Sequence, residues 1–533
     1  MSVIPIKRAL ISVTDKSKLG DLAKALTAKN IQLISTGGTA KAIRDAGYEV
    51  MDVSALTGYP EVFGGRFKTL HPKVHGGILM RRDNAEDIDE AKQQAIHPID
   101  LVVINLYEFE KTAADSSKSP EQIIEQIDIG GPGMIRAAAK NHKFVGVVTS
   151  TDQYDTVIAE IHETGGLNDT TRRQLAADAF EMTARYDRHI SDWFATKYIG
   201  ETEKNLDTPA DTETTWPATM QINLNLQQTM RYGENPHQAA AFYRMQGEEE
   251  RGVAACEQLH GKELSFNNLI DADIALSMPF EFDQPAVAIL KHTTPSGVGV
   301  GESLAEAEAK ARACDPLSAF GGIVGMNRTC DLATAQQINK AFTEVIVAPG
   351  YDDDALALLK KKKNLRLLVA PAAAAQPFGH DFRRVAGGLL VQDRDAGFPE
   401  LDGWKVVTER QPSEQEFADL KFGWIVCKYV KSNAVCFIRH GATLGMGAGQ
   451  MSRVDAVHLA HWKAQQTGLD LSDSVLASDA FFPFPDGLLA AADAGTTTII
   501  QPGGSVRDQE VIDAANERGL AMIFTGRRHF RHA

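Results

Sequence analysis

Cysteine is scarce and unpatterned in this sequence. Five cysteines, at positions 256, 314, 330, 427 and 436, stand in 533 residues, and no two are spaced Cys-x-x-Cys. An odd count without that spacing excludes a disulfide framework and a cysteine zinc site, and points to reduced thiols. His-Glu-x-x-His is also missing. His458 and His461 lie three apart in a helical run, but no third ligand accompanies them. They read as surface or packing histidines, and no metal is expected. No apolar run is long enough to span a bilayer, and the opening Met1-Ser-Val-Ile-Pro-Ile-Lys-Arg8 has no signal-peptide core. A cytoplasmic protein without membrane contact is expected. Positive charge is in deficit, with 55 Lys and Arg against 70 Asp and Glu and a net charge of −15. That argues against nucleic acid as a partner, while leaving room for local basic pockets that take phosphates.

What is present is a globular composition, 43% hydrophobic and 23% charged, on a chain too long for one core. The first two hundred residues alternate strand and helix. Strands are expected over 9–13, 31–36, 101–106 and 144–148. Helices are expected over 18–29, where Leu19, Leu22, Ala23 and Leu26 share a face, over 37–47, and over 171–198. This rhythm predicts an α/β fold with a parallel sheet covered on both faces. Residues 200–220 are polar, acidic and almost without core side chains, so they read as a linker between domains 1–199 and 221–533. Beyond the linker the elements resume with longer Gly- and Pro-rich connections. Lys360-Lys-Lys-Lys363 follows Asp352-Asp-Asp354 by two helical turns and reads as the solvated end of a helix whose charges complement its dipole.

Several stretches carry chemistry. After the apolar run 286–290, Lys291 and His292 stand side by side, and Pro295 and Gly297 suggest a turn. A cation beside an imidazole at the end of a buried strand suits acid–base work, although a solvated lysine and a packed histidine fit the same letters. Ser35-Thr-Gly-Gly-Thr39 lies between a strand and a helix, where backbone amides and the helix N-terminus favour an anion; Ser12, Thr14 and Lys16 end the neighbouring strand. An ordinary capped turn remains the alternative. Arg66, Lys68, Thr69, His71 and His75 fall in one loop-like stretch. Because strand ends of a parallel sheet share a crevice, Ser12, Thr36 and Tyr107 should converge. Gly445-x-Gly-x-Gly449 is too loose for a dinucleotide site and reads as a turn into a helix that starts at Ser452.

Taken together and in order, Ser35-Thr-Gly-Gly-Thr39, the 64–75 stretch, Gln126-Ile-Asp-Ile-Gly-Gly131, Arg136-Ala-Ala-Ala-Lys-Asn-His142, Met230-Arg-Tyr-Gly-Glu-Asn-Pro-His-Gln238, Gly447-Ala-Gly-Gln-Met-Ser-Arg453 and Arg528-His-Phe-Arg-His532 resemble the family of bifunctional AICAR formyltransferase/IMP cyclohydrolases. The resemblance implies a methylglyoxal-synthase-like first domain, two cytidine-deaminase-like α/β units without zinc ligands, and a homodimer with transferase sites at its interface. It implies 10-formyltetrahydrofolate as cosubstrate, no catalytic metal, and AICAR, formyl-AICAR and IMP as ligands.

For formyl transfer, the resemblance implies Lys291, His292 and Asn433 as catalytic, with Asn433 orienting His292 or the substrate carboxamide. Arg231, Tyr232, Asn268, Arg528 and Phe530 match the substrate side. Leu317, Phe320, Glu344, Arg453, Val454, Phe482 and Pro483 match the folate side, as apolar walls for a flat ring with Arg453 for an acidic tail. For ring closure, Lys68, Tyr107, Asp128 and Lys140 match the catalytic set, and Ser12, Thr14, Lys16, Thr36, Gly38, Thr39, Arg66 and Thr69 the nucleotide set. Thr294, Ser296, Pro485 and Arg527 depart from the usual letters without removing a catalytic residue. A ribotide-binding regulatory protein is the competing reading, and it would have no need of Lys291-His292 with Asn433.

Overall fold

The computed structural model describes residues 3–106, 109–199, 216, 219, 220, 222–246, 251–375, 379–397 and 403–532. The chain divides into two units, Met1–Met220 and Gln221–Ala533. Tyr107 and nearly all of the expected linker lie outside the described residues.

The first unit is built on strands Arg8–Val13 (β1), Gln32–Ser35 (β2), Met51–Asp52 (β3), Leu101–Asn105 (β4) and Gly146–Val148 (β5). They pair in the order β3-β2-β1-β4-β5, all parallel. Ala9, Leu10, Ile11 and the run Leu101 to Ile104 are fully buried, because a central parallel strand is covered on both faces. Five helices matter for the site: Leu19–Thr27 (α1), Gly37–Asp45 (α2), Pro72–Leu79 (α3), Gly130–Lys140 (α4) and Asp169–Trp193 (α5). The expected face of α1 is the buried one. The Asn168 side chain caps α5 by accepting the Thr171 amide at 2.9 Å, so the helix begins at Asp169, two residues ahead of the expected start. The 64–75 stretch is not one loop. Pro72 presets the first helical turn and the His71 ring accepts the Lys73 amide at 3.1 Å, so His75 rides on α3.

The second unit is organised by one twelve-stranded sheet. Its strands are Glu257–His260 (β6), Ala286–Lys291 (β7), Thr294–Val300 (β8), Gly322–Met326 (β9), Thr343–Ala348 (β10), Arg366–Val369 (β11), Lys405–Val406 (β12), Val435–Arg439 (β13), Ala442–Gly447 (β14), Ser474–Ser478 (β15), Thr496–Gln501 (β16) and Ala521–Phe524 (β17). The order is β6-β11-β10-β9-β7-β8-β14-β13-β15-β16-β17-β12. It is one six-stranded pattern used twice and joined at β8–β14. In each half a hairpin (β7-β8, β13-β14) pairs antiparallel with the next strand (β9, β15). Two parallel neighbours and an antiparallel edge strand follow. Helix Phe266–Ser277 (α6) corresponds to Glu414–Tyr429 (α9), and Leu304–Cys314 (α7) to Arg453–Thr467 (α10). A four-residue helix, Pro316–Ala319 (α8), follows α7.

Of the glycines that read as turns, Gly297, Gly445 and Gly447 are strand residues, while Gly449, with φ of 67°, does turn the chain toward α10. A Cβ on Gly297 would come within 1.8 Å of the Ala311 carbonyl oxygen in α7, and one on Gly447 within 1.9 Å of the Ala456 oxygen in α10. They are there so that a helix can lie directly on each hairpin. The turn itself falls earlier, at His292 and Thr293. The lysine run does end a helix, Asp353–Leu359, but Lys362 donates to the carbonyls of Asn339 and Ala341 and is not freely solvated.

Candidate active sites

In the second unit, β7 delivers Lys291 and the hairpin turn delivers His292. Both turn residues are left-handed, with φ of 54° at His292 and 64° at Thr293. The Lys291 ammonium donates to the Phe320 carbonyl at 2.7 Å, which fixes the lysine against the end of α8. The pair lines a cavity of 220 Å³ together with Thr294, Ser296, Met446 and Lys463. Lys463 reaches Asp315 at 2.8 Å, and the Asp315 carboxylate also accepts the Ser318 amide and hydroxyl. Burial opposes that charge, but Lys463 and Ser318 outweigh it and hold the Asp315 carboxyl below its usual range. Sequence reading missed Asp315 and Lys463. An acid before Pro316 was visible as a helix cap, but its lysine partner lies in the other half of the duplicated sheet.

Asn433 is engaged within its own loop. Its amide nitrogen donates to the Gln450 and Met451 carbonyls at 3.0 and 3.2 Å, and its oxygen accepts from Arg453 at 2.8 Å. These bonds hold Asn433 to the Gln450–Arg453 segment and not to His292, which leaves the carboxamide role expected for it as the alternative. Arg453 corrects a second expectation. It is 7% exposed and bonds to the Ala434 carbonyl, the Ser478 hydroxyl and the Asp479 carboxylate, so it anchors Asn433 and does not reach out for an acidic tail. Phe482 corrects a third: its ring is fully buried in the core around α10, and its amide donates to Gln501 at 2.8 Å. Pro483 beside it is exposed and Val454 half-buried. Leu317 and Phe320, at 83% and 58% exposure, do present open apolar surface, with the Phe320 ring 5.3 Å from that of Phe342.

The phosphate-side candidates form two groups. Arg231 stacks 4.8 Å over the Tyr232 ring. Asn268, in the first turn of α6, donates to Glu344 at 3.1 Å, and Arg366 lies 4.0 Å from the same carboxylate. Burial lowers the Arg366 pKa, Glu344 opposes this, and nearby Arg231 lowers it further, so two guanidinium groups share this corner. Arg366 opens a buried strand and gave no motif to find it by. Arg528 stacks 4.5 Å over Phe530. That tail is laced to the Asn433 loop by Ser432 N donating to the Arg531 carbonyl and His529 N donating to that of Asp479.

In the first unit, Ser12, Thr14 and Lys16 run off the end of β1, and Thr36 with Gly37, Gly38 and Thr39 opens α2, whose first amides have no partner within the helix. The Thr39 hydroxyl is already committed: it accepts the Val13 amide and donates to the Val13 carbonyl, both at 3.0 Å. Thr69 and Asp128 meet at the start of α4. A Cβ on Gly130 would come 2.5 Å from the Thr69 hydroxyl, and one on Gly131 2.4 Å from the Asp128 carboxylate. Lys68 is half-buried on the same loop, and Arg66 lies 3.5 Å from Glu125. Lys140 stands at the other end of the same helix. It ends α4, about 15 Å along the axis from Gly130 at 1.5 Å per residue. A cleft of 660 Å³ in this unit has Thr14 in its lining together with Asn105, Ser150, Asp178 and Arg185, but not Lys68, Thr69 or Asp128.

Among the described residues, no group of three or more His, Cys, Asp or Glu is placed to hold a metal ion, and no helix is long and apolar enough to cross a membrane.

A family model described as AICARFT/IMPCHase bienzyme matches residues 138–463, and one described as MGS-like domain matches residues 18–133. The bifunctional purine biosynthesis protein PurH of Parvibaculum lavamentivorans is 53% identical over 542 residues, covering 99% of this chain and 97% of that protein. The protein of the same name from Roseobacter denitrificans is 51% identical over 540 residues, covering 99% of each. A solved structure titled "Crystal structure of ForH" is 36% identical, covers 35% of this chain and 96% of its own, and has a TM-score of 0.33.

Proposed function

The chain belongs to the AICARFT/IMPCHase bienzyme family, and from that premise we propose that it carries out the last two steps of IMP synthesis. Formyl transfer from 10-formyltetrahydrofolate to AICAR belongs to 221–533, and dehydrative closure of formyl-AICAR to IMP belongs to 1–199. The observation that carries this reading is the Lys291-His292 pair, held at the end of a buried strand and lining a cavity. Acid–base residues placed side by side in a cavity serve proton transfer, which a pure binding module does not need.

In the transfer step the ring amine of AICAR attacks the formyl carbon. His292 takes the proton that the amine loses, and Lys291 stabilises the developing oxyanion or supplies a proton to the departing folate nitrogen. Asn433 shapes the site through the Gln450–Met451 backbone that it holds. Arg231, Tyr232, Asn268, Arg528 and Phe530 take the ribotide, the arginines through its phosphate. Leu317, Phe320, Val454 and Pro483 flank the pteridine, with Glu344 at the polar edge. In ring closure the carboxamide nitrogen attacks the formyl carbon and water leaves. Lys68 and Tyr107 stabilise the oxyanion or protonate the departing hydroxyl, and Asp128 relays a proton from the amide. The α2 N-terminus with Ser12, Thr14, Lys16, Arg66 and Thr69 holds the phosphate.

The protein works as a homodimer with transferase sites completed at the interface, a reading supported by the open apolar surface of Leu317 and Phe320. Its five free thiols suit a reducing cytoplasm.

The test is to supply AICAR and 10-formyltetrahydrofolate and follow IMP and tetrahydrofolate together. Both should form. Tetrahydrofolate with accumulating formyl-AICAR would remove the cyclohydrolase assignment; no product at all would remove the transferase assignment, and formyl-AICAR supplied directly then tests ring closure by itself. His292→Ala should abolish transfer and spare ring closure, and Lys68→Ala should do the reverse.

A further inference from the structure

The hairpin that carries the catalytic pair is clamped from below by a carboxylate that sequence reading passed over. Asp271 lies on α6, one turn beyond Asn268, and is 9% exposed. One of its oxygens accepts the His292 amide at 3.1 Å and the other accepts the Thr293 amide at 2.6 Å. Both turn residues are non-glycine and left-handed, a conformation that persists only where the surroundings enforce it. Burial pushes the Asp271 carboxyl upward, while the two amides, His292 and Lys431 pull it down. The fold thus keeps a costly buried acid at the one place where it can hold both amides of the turn.

The duplicated half repeats the clamp without the chemistry. Asp419 on α9 accepts the His440 and Gly441 amides at 2.9 and 2.8 Å, under the turn between β13 and β14. There the second turn residue is glycine, and the preceding Arg439 is tied to the Ser472 carbonyl.

We propose that Asp271 is a positioning residue for formyl transfer: by binding both amides of the His292–Thr293 turn it sets the direction in which Lys291 and His292 enter the cavity. The proposal rests on the transferase reading of that cavity. Asparagine in its place keeps the shape but offers one acceptor and turns an NH₂ group toward the second amide donor. The turn then relaxes and the pair swings off line.

The test compares Asp271→Asn with Asp419→Asn in the full chain. For each, kcat and KM of formyl transfer are measured, with thermal melts followed by circular dichroism as the folding control for the second unit. The pKa of His292 is read separately by residue-resolved diethylpyrocarbonate modification. The charged groups around His292 are Lys291 beside it, Asp271 from α6, Lys431 after α9, and Asp315 and Lys463 on the cavity wall. Asp271→Asn should lower kcat about 10²-fold, the scale of a misplacement near 1 Å, with little change in KM and a shifted His292 pKa. Asp419→Asn should leave kcat and the His292 pKa where they are. Equal losses of kcat in the two variants, or an unmoved His292 pKa with unchanged kcat in Asp271→Asn, would overturn the proposal. A wild-type chain that transfers no formyl group would instead overturn the transferase reading, and hydrogen–deuterium exchange at the His292 and Thr293 amides, faster in Asp271→Asn if the clamp is real, would still decide whether Asp271 governs the turn.

Discussion

His75 shows how one residue's setting fixes its charge. It sits on α3, where a Cβ on Gly133 of α4 would come within 3.6 Å of its ring. Its Nε2 is buried and meets no hydrogen-bond partner among the described residues. Burial lowers its pKa, so the neutral ring is the folded form. A histidine with a depressed folded pKa adds stability above its unfolded value, about 6.5, and that stability is lost as pH falls through the lower folded value. His75→Gln should therefore flatten the fall in melting temperature below about pH 6.5 that the unsubstituted protein shows. Thermal melts of both proteins across that range measure the difference, and identical slopes would mean that His75 is not what titrates. Arg453 makes the complementary point. Its letter suggested a contact with ligand, but a guanidinium enclosed with Asp479, Ser478 and Ala434 is spent on holding the Asn433 loop.

At the scale of elements, the duplicated hairpin and helix is the working unit. Gly297 and Gly299 let α7 lie on β8, as Gly445 and Gly447 let α10 lie on β14. The obstructing atoms are main-chain oxygens, which cannot rotate aside. Gly297→Ala should destabilise the second unit by about 3 kcal/mol, the upper range for overpacking, and reduce formyl transfer because the strand it distorts starts at the His292–Thr293 turn proposed for that step. Urea unfolding with ring closure as a second readout checks this; a loss confined to ring closure would contradict it. The helix that begins at Pro72 and the capped start of α5 show how little of an element's boundary depends on periodicity once a proline or an Asn side chain fixes the first turn.

At the scale of the whole molecule, two kinds of site with different needs share a chain. The first unit gathers its candidates on one parallel sheet, whereas the second leaves Leu317 and Phe320 open. If transferase sites are completed between subunits, dilution should lower formyl transfer per chain while ring closure holds constant. Sedimentation velocity at the same concentrations should show dimers giving way to monomers. Parallel loss of both activities, or of neither while dimers dissociate, would count against sites at the interface.

The sequence by itself determined the α/β class, four of the five strands of the first sheet, the buried face of α1 and the likeness to a known family. These rest on local periodicity and on ordered motifs, both of which are linear properties. Asn433, Arg453, Phe482, Thr39 and Lys140 could be named by position, but what each side chain does depends on neighbours distant in the chain. Only the tertiary structure decided that Arg453 and Phe482 are interior, that the Thr39 hydroxyl is committed to Val13, and that Lys140 stands a helix length from Asp128. It alone showed that the two α/β units implied by the resemblance repeat one six-stranded pattern within a single sheet, because the two halves share turn geometry and glycine placement more than letters. For the same reason it alone exposed Asp271 and Lys463. A carboxylate under a turn and a lysine across a cavity are spaced by folding, and no sequence interval encodes their meeting.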